Sequence, residues 1–224
     1  MSADTPARLA LLRELRDEIL LHYSTGRPVV AVDGLDGAGT TVFADALAAT
    51  FAERDHAVVR ASIDDFHRPS AERYAVGRDS PEGFYRDSYD YQAFRDELIT
   101  PFRRGGDESF RTAVFDVEED RPVEGEPSIA PPDAVLIVDG IFLHRPELIG
   151  LWNYSINLEV PREVAAARVA ERDGTDSDPD APSNARYTQG QRLYVAEVRP
   201  RTRAVAIVDN ADPGVPVRRF ADSC

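Results

Sequence analysis

A glycine-rich segment near the amino-terminal part of the chain has the residue types of a loop that holds phosphate groups. Glycines let the backbone curl until successive N–H groups point at one anion, and a helix that starts there adds the positive end of its dipole. The pattern is glycine, four residues, glycine, lysine, and serine or threonine, and the chain fits it at all but one position. A plain turn between a strand and a helix is the alternative. The residues predicted to contact phosphate are Gly34, Asp36, Gly37, Ala38, Gly39, Thr40 and Thr41.

The one departure is Thr40, which stands where the pattern has lysine. That lysine normally reaches the β- and γ-phosphates and balances charge as a phosphoryl group transfers. Its absence costs on the order of 10²–10³ in rate, by analogy with the loss of one oxyanion donor. The chain contains no lysine at all, so only arginine can replace it. Three explanations stay open: an arginine from a lid takes over, the protein binds nucleotide without turnover, or the residue was changed on purpose to trap a complex.

Two aspartates lie at the carboxyl ends of predicted strands, where ligands of open α/β sheets bind. Asp64 follows the predicted strand 57–63, and Asp139 ends the apolar strand 133–139. The hydroxyl of Thr41 and the carboxylate of Asp139 are oxygen ligands of the kind that Mg²⁺ prefers. We therefore predict a Mg²⁺ site at Thr41 and Asp139, with a turn or capping role as the alternative for each aspartate.

Six short motifs, spaced in order over about residues 28–210, resemble those of the uridine kinase family, in the wider group that includes phosphoribulokinase and the bacterial pantothenate kinases. The first motif is the glycine-rich segment. The next three are Ile63-Asp64-Asp65-Phe66-His67, Asp87-Ser88-Tyr89-Asp90-Tyr91-Gln92-Ala93-Phe94 and Ala113-Val114-Phe115-Asp116. The last two are Val135-Leu136-Ile137-Val138-Asp139-Gly140-Ile141-Phe142 and the helix that carries Arg168 and Arg172. Each motif is weak alone, but six in this order are specific to the group.

The resemblance implies roles for several of these residues. Asp64 takes the proton from the attacking hydroxyl and also touches the Mg²⁺ shell. Asp90 accepts hydrogen bonds from ribose hydroxyls, or alternatively caps the helix that begins near it. His67 and Phe115 flank the base of the acceptor, with packing as the alternative for both. The family usually has tyrosine at the positions of His67 and Phe115, and more often glutamate at Asp139.

Arg168 and Arg172 lie four residues apart, on one face of the predicted helix 161–172. Two guanidinium groups beside the acidic, proline-bearing loop 173–184 suit a lid that closes over phosphates. We predict that both contact ATP phosphates and that Arg168 also contacts the acceptor. The alternative is a solvent-exposed arginine face that pairs with neighbouring glutamates.

Strands alternate with helices along the chain, which, with the resemblance, predicts an α/β fold of the P-loop NTPase type: an open, mostly parallel sheet, helices on both faces and a small lid. Residues 1–224 are predicted to form one domain, with an irregular, substrate-side excursion over 68–91 outside the core and a lid region over 161–198. Predicted strands span 29–33, 57–63, 110–117, 133–139, 155–160 and 205–209. Predicted helices span 6–23, 40–54, 92–102, 161–172 and 186–198.

The chain has 224 residues and a formal net charge of −14. Such an acidic chain lacks the basic surface that nucleic acids and anionic membranes attract, so we predict neither as a partner. No apolar run reaches the ~18–20 residues that a membrane span needs. The lone cysteine, Cys224, permits no intrachain disulfide, which is typical of a reducing, cytoplasmic compartment.

Together, the motifs and the resemblance predict an enzyme that transfers the γ-phosphoryl group of ATP or GTP to the 5′-hydroxyl of a nucleoside such as uridine or cytidine, with Mg²⁺. Two alternatives remain at this stage. The first is a kinase relic that binds nucleotide without turnover, which the threonine in place of lysine favours. The second is a kinase of another small hydroxyl acceptor, such as pantothenate or a sugar. The resemblance also implies assembly into homo-oligomers.

Overall fold

The computed structural model describes residues 5–220, and Cys224 lies outside them. Six strands form one sheet in the order β2-β5-β1-β6-β7-β8, and β3 and β4 form a separate two-stranded hairpin. All neighbouring strands of the sheet pair in parallel except β7 and β8, which are antiparallel. The strands are β1 Val29–Gly34, β2 Val58–Ser62, β3 Phe115–Asp116, β4 Arg121–Pro122, β5 Val135–Gly140, β6 Tyr154–Glu159, β7 Ala206–Asp209 and β8 Val217–Arg219.

Helices connect the parallel strands and cover both faces of the sheet. The α-helices are α1 Pro6–His22, α2 Thr40–Phe51, α3 Ser70–Arg73, α4 Pro81–Asp87, α5 Tyr91–Ala93, α6 Thr100–Arg104, α7 Arg162–Asp173, α8 Ala185–Val198 and α9 Pro200–Arg203. A π-helical turn, Phe94–Ile99, joins α5 to α6, and 3-10 turns span Ala52–Arg54, Ile63–Phe66, Pro146–Leu148 and Pro182–Asn184.

The two central strands, β1 and β5, are buried over their whole length. Their runs of β-branched residues are typical of parallel strands covered on both faces. On one face Val30 and Val32 pack with the apolar side chains of α1 and α2. On the other face Val29 and Ala31 join a cluster that includes aromatic side chains of α4 and α8. The predicted open, mostly parallel sheet with helices on both faces is confirmed.

The segment 68–91 differs from the irregular excursion outside the core that its composition predicts. It contains α3 and α4, and α4 begins at a proline after Ser80, whose side chain accepts a hydrogen bond from the N–H of Gly83. Phe84, Tyr85 and Tyr89 are buried in the core cluster. The prediction that this segment stays outside the core is therefore wrong. A few aromatic residues among many polar ones are enough to fix it, because each buries a large apolar area.

The predicted strand 110–117 is mostly wrong as well. Only β3 is a strand there, and Phe110 forms an isolated bridge with Ser128. The segment lies beside a hairpin and not in the central sheet, so it lacks a neighbouring strand along most of its length.

The helix predicted over 92–102 is confirmed as a continuous helical stretch with a π turn at its centre. The antiparallel edge strand β8 was not predicted. Within residues 5–220, none of the helices combines the length and the apolar character that crossing a membrane requires.

Candidate functional site

The glycine-rich segment connects β1 to α2, as its sequence predicts. Gly37 and Gly39 take left-handed backbone angles, with φ of +80° and +84°, and Ala38 N–H donates to the carbonyl of Leu35 at 2.8 Å. Gly39 is the N-cap of α2, and no side chain caps that helix. The first-turn N–H groups of α2 therefore remain available to an anion, and the helix dipole favours negative charge at this end.

Helix α7 approaches this loop very closely. A Cβ atom at Gly37 would lie 2.3 Å from the main-chain oxygen of Ala165, so only glycine fits there. The guanidinium of Arg168 donates to the carbonyls of Gly37, Asn210 and Ala211 at 2.9–3.2 Å. In this arrangement Arg168 ties α7 to the outer side of the loop and to the segment after β7. Its predicted contacts with phosphates and acceptor stay predictions.

Thr41 and Asp139 come together at the carboxyl end of β5. The Thr41 hydroxyl donates to Oδ2 of Asp139 at 2.6 Å, and Asp139 is 1% exposed. The second carboxylate oxygen, Oδ1, accepts a hydrogen bond from Nη2 of Arg60 at 2.7 Å. The structure therefore brings these two residues of the predicted Mg²⁺ site together, while their role in holding the ion stays a prediction. Arg60 is a third member of the group that the sequence did not indicate.

These donors fit a magnesium ion. A hydroxyl and a carboxylate meet beside the glycine-rich loop, and Mg²⁺ in nucleotide sites takes one or two protein oxygens together with waters and substrate phosphates. Within residues 5–220 no group of three or more His, Cys, Asp or Glu side chains is arranged to hold a metal by itself. The ion would accordingly depend on the phosphates of a bound nucleotide.

Asp64 lies in the 3-10 turn that follows β2, and its side chain lines a large cavity next to the loop. The hydroxyl of Tyr89 donates to Oδ1 of Asp64 at 2.7 Å. Burial, followed by the nearby Asp64 charge, keeps the pKa of Tyr89 well above its ordinary value, so this hydroxyl stays a donor at neutral pH. The predicted base is thus held by a donor from the segment 68–91, which its sequence did not indicate.

His67 lies on the same turn and lines the same cavity. Its Nδ1 is 2.7 Å from the main-chain oxygen of Asp64. Burial lowers the pKa of His67, so the ring is neutral near pH 7. A carbonyl only accepts, so Nδ1 carries the proton and Nε2 is left as an acceptor.

Two carboxylic acids near the site have raised pKa values. Burial, then the charges of Asp64 and Asp139, raises the pKa of Asp65 to about 6. Burial also raises the pKa of Asp36, although Arg172 lies 3.2 Å from its carboxylate and opposes that shift. Arg172 therefore reaches the glycine-rich loop and pairs there with a carboxylate, while its contact with ATP phosphates stays a prediction.

The cavity has a volume of about 1010 Å³, which is at the upper end for small-molecule sites and has room for two substrates. It lies between the phosphate loop, the turn after β2, α4, α7 and α8. Its lining includes Leu35, Asp36, Asp64, His67, Tyr74, Phe84, Tyr89, Ala165, Arg172, Tyr187 and Gln191.

Asp90, Phe115 and Arg168 are not among the described residues that line this cavity. The Asp90 carboxylate accepts hydrogen bonds from the N–H groups of Gln92 and Ala93, which is the capping alternative. Phe115 is 6% exposed and begins the β3–β4 hairpin. Packing and capping account for both side chains here, and their contacts with an acceptor stay predictions.

A buried hydrogen-bonded cluster beneath the site was not found from the sequence. Asp33 is fully buried at the end of β1 and accepts from the N–H of Leu143 at 3.2 Å and from the hydroxyl of Tyr194. Nδ1 of His144 lies 2.6 Å from Oδ2 of Asp33. Tyr194 belongs to α8, so the cluster joins that helix to the central strand. The one sequence signal for this cluster is the carboxylate of Asp33 within the otherwise apolar run VVAVDG, because a buried carboxylate needs hydrogen-bond partners.

The described part of the chain is similar in structure to several kinases. It matches a possible uridine kinase from Bacillus stearothermophilus with a TM-score of 0.68 and 22% identity, over 88% of this chain and 96% of that one. It matches a protein assigned as a fructose transport system kinase from Silicibacter sp. TM1040 with a TM-score of 0.66 and 24% identity, over 84% and 94%. A phosphoribulokinase from Rhodobacter spheroides gives a TM-score of 0.57 and 15% identity, over 88% and 80%.

Comparison with models of protein families and with curated protein sequences gives no match. The structural likeness concerns the fold, an open, mostly parallel α/β sheet with helices on both faces.

Proposed function

We propose that this chain, which has the fold of the P-loop kinases, transfers the γ-phosphoryl group of ATP or GTP to a hydroxyl of a small molecule, with the 5′-hydroxyl of a nucleoside as the acceptor. The observation that carries the proposal is the pairing of Thr41 with Asp139 beside an uncapped helix start, with Asp64 in the adjoining cavity. Kinase structures with the same fold support phosphoryl transfer in general. The nucleoside rests on the six-motif resemblance.

The proposed reaction assigns a task to each group. The loop N–H groups bind the phosphates, and Asp64 accepts the proton as the acceptor oxygen forms its bond to the γ-phosphorus. The bond from that phosphorus to the bridging oxygen breaks, and the nucleoside diphosphate leaves with those electrons. Thr41 and Asp139 would hold Mg²⁺, which when bound offsets the negative charge of the phosphates. Tyr89 keeps the Asp64 carboxylate in one orientation through its hydrogen bond.

The lining of the cavity is compatible with a heterocyclic acceptor. The side chains of Phe84 and Tyr187 lie edge to face with ring centres 5.0 Å apart. The guanidinium of Arg186 lies over both rings, and over that of Tyr74 at 4.9 Å. Tyr187 is 44% exposed, so its ring offers a planar face of the kind that can stack on a base. The neutral His67, with Nε2 as an acceptor, could receive a hydrogen bond from an amino or imide N–H group.

The test is a turnover assay with Mg²⁺, ATP or GTP, and a panel of hydroxyl acceptors that includes nucleosides, sugars and pantothenate. Product formation is followed by mass spectrometry, and nucleotide binding by calorimetry. We expect phosphorylated product from a nucleoside, and a loss of about 10²–10⁴ in turnover in Asp64→Asn with nucleotide affinity retained. If product forms only from a sugar or pantothenate, the proposal that a nucleoside is the acceptor is refuted.

The second candidate is the kinase relic, and Thr40 in place of lysine is the observation that favours it. A relic binds MgATP in the calorimeter and gives no product with any acceptor. Absence of nucleotide binding would refute both candidates, because each depends on the phosphate loop.

A further inference from the structure

Arg60 is a charged residue in the middle of the parallel strand β2. Its guanidinium donates from Nη1 to the carbonyl of Ile137 at 2.6 Å, from Nη2 to Oδ1 of Asp139 at 2.7 Å and from Nε to Asp45 at 2.9 Å. The side chain is 23% exposed, and Asp45, on α2, is 65% exposed. Nη1 also donates to the carbonyl of Ala61 at 3.2 Å, so the Arg60 guanidinium is fixed by four partners.

One carboxylate separates this cation from the phosphate loop. The two oxygens of Asp139 bind Arg60 on one side and the Thr41 hydroxyl on the other. Thr41 follows Thr40, the residue that stands in the lysine position. A fixed positive charge is therefore linked through one carboxylate to the residue next to the lysine position.

We propose that Arg60 is a positioning residue that takes over part of the electrostatic role of the absent lysine, acting through Asp139. This inference rests on the proposed function. Arg60 holds the Asp139 carboxylate with one oxygen directed at Thr41, and its charge offsets part of the negative charge that collects when a triphosphate occupies the loop. The effect persists because the Arg60–Asp139 pair is largely shielded from solvent. Charges that are shielded from solvent are screened much less by salt than exposed charges are.

An ordinary structural ion pair is the competing explanation, and a double-mutant cycle separates the two. The variants are Arg60→Gln, Thr40→Lys and their combination, and the readout is MgATP affinity by calorimetry. If Arg60 compensates for the missing lysine, Arg60→Gln weakens MgATP binding roughly 10- to 100-fold, the size expected for a lost hydrogen bond to a charged group. Thr40→Lys then improves affinity at least about tenfold more in the Arg60→Gln background than in the parent chain.

Controls show whether the effect belongs to charge at this position. Arg60→Lys keeps a cation on β2 and should retain most of the affinity. Arg13→Gln removes an arginine that is paired with Glu53 on the outer surface, and it should leave affinity and its response to Thr40→Lys unchanged. Melting temperatures of all variants report any loss of folding.

If Thr40→Lys raises MgATP affinity by the same factor in the parent chain and in Arg60→Gln, the inference is overturned while the proposed function stays intact. If Arg60→Gln does not fold, the parent chain still decides: a gain of 100-fold or more in MgATP affinity from Thr40→Lys alone would show that nothing replaces the lysine. A parent chain that binds no MgATP would refute the proposed function itself.

Discussion

The close contact between the phosphate loop and α7 makes Gly37→Ala an informative substitution. At Gly37 φ is +80°, and an added Cβ would lie 2.3 Å from the main-chain oxygen of Ala165. The left-handed conformation costs alanine roughly 1–2 kcal/mol. The contact adds a second cost, because real Cβ atoms stay at least 3.0 Å from such atoms, so the loop or α7 must move by about 0.7 Å.

Gly26→Ala is the matched control. Gly26 has φ of +83° and no atom within 4 Å of an added Cβ, so it shares the backbone cost without the contact. We expect Gly26→Ala to lower the melting temperature by about 2–8 °C and to leave MgATP affinity unchanged. Gly37→Ala should lower the melting temperature further and weaken MgATP binding at least about tenfold, since loop N–H groups displaced by that distance lose hydrogen bonds to phosphate.

Calorimetry with MgATP and thermal unfolding of both variants provide the measurement. The reasoning is refuted if Gly37→Ala binds MgATP as tightly as the parent chain. It is also refuted if the two variants lose the same affinity, because the contact with α7 would then contribute nothing.

Three further predictions concern the carboxylates around the site. Tyr89→Phe removes the hydroxyl that donates to Asp64, and we expect steady-state kinetics to show turnover about tenfold lower with unchanged nucleotide affinity; unchanged turnover would contradict the positioning role. Burial raises the pKa of Asp65 from 3.8 to about 6, so ionisation of this group lowers stability as pH rises through that window. Asp65→Asn should therefore stabilise the fold by about 1 kcal/mol more at pH 7.5 than at pH 5 in urea unfolding, and an equal gain at both pH values would exclude the raised pKa. Asp33→Asn should lower the free energy of unfolding by about 2–4 kcal/mol in the same assay, because a neutral amide replaces a buried carboxylate that accepts hydrogen bonds from several donors. A decrease below about 1 kcal/mol would contradict that reasoning.

The parts of the fold that the sequence predicts are those determined by local pattern. The apolar, β-branched runs of β1 and β5 predict buried parallel strands, since both faces of such strands are covered. The aspartates that end or follow them then fall at the ligand-binding edge of the sheet. Thr41 and Asp139, both assigned to the Mg²⁺ site from the sequence, meet there.

The parts that sequence reasoning missed depend on partners that are distant along the chain. Arg60 and Asp139 are 79 residues apart, and Asp33 and Tyr194 are 161 residues apart. No spacing rule connects such pairs, because only the tertiary fold, through the order of strands and the packing of helices on the sheet, brings them together. The burial of α4 was missed for a related reason: its aromatic side chains lie among polar ones, and their packing partners come from other elements.

The attachment of α8 to the sheet limits how the cavity can open and shut. Tyr194 anchors this helix to Asp33 inside the core, and Gln191 accepts a hydrogen bond from the N–H of Asp36 at 3.2 Å. Helix α8 is consequently a fixed wall, whereas the segment 174–181 before it is mostly exposed. We therefore expect any gating movement within 161–198 to lie in the segment 174–181, because Arg168 also ties α7 to the carbonyls of Gly37, Asn210 and Ala211.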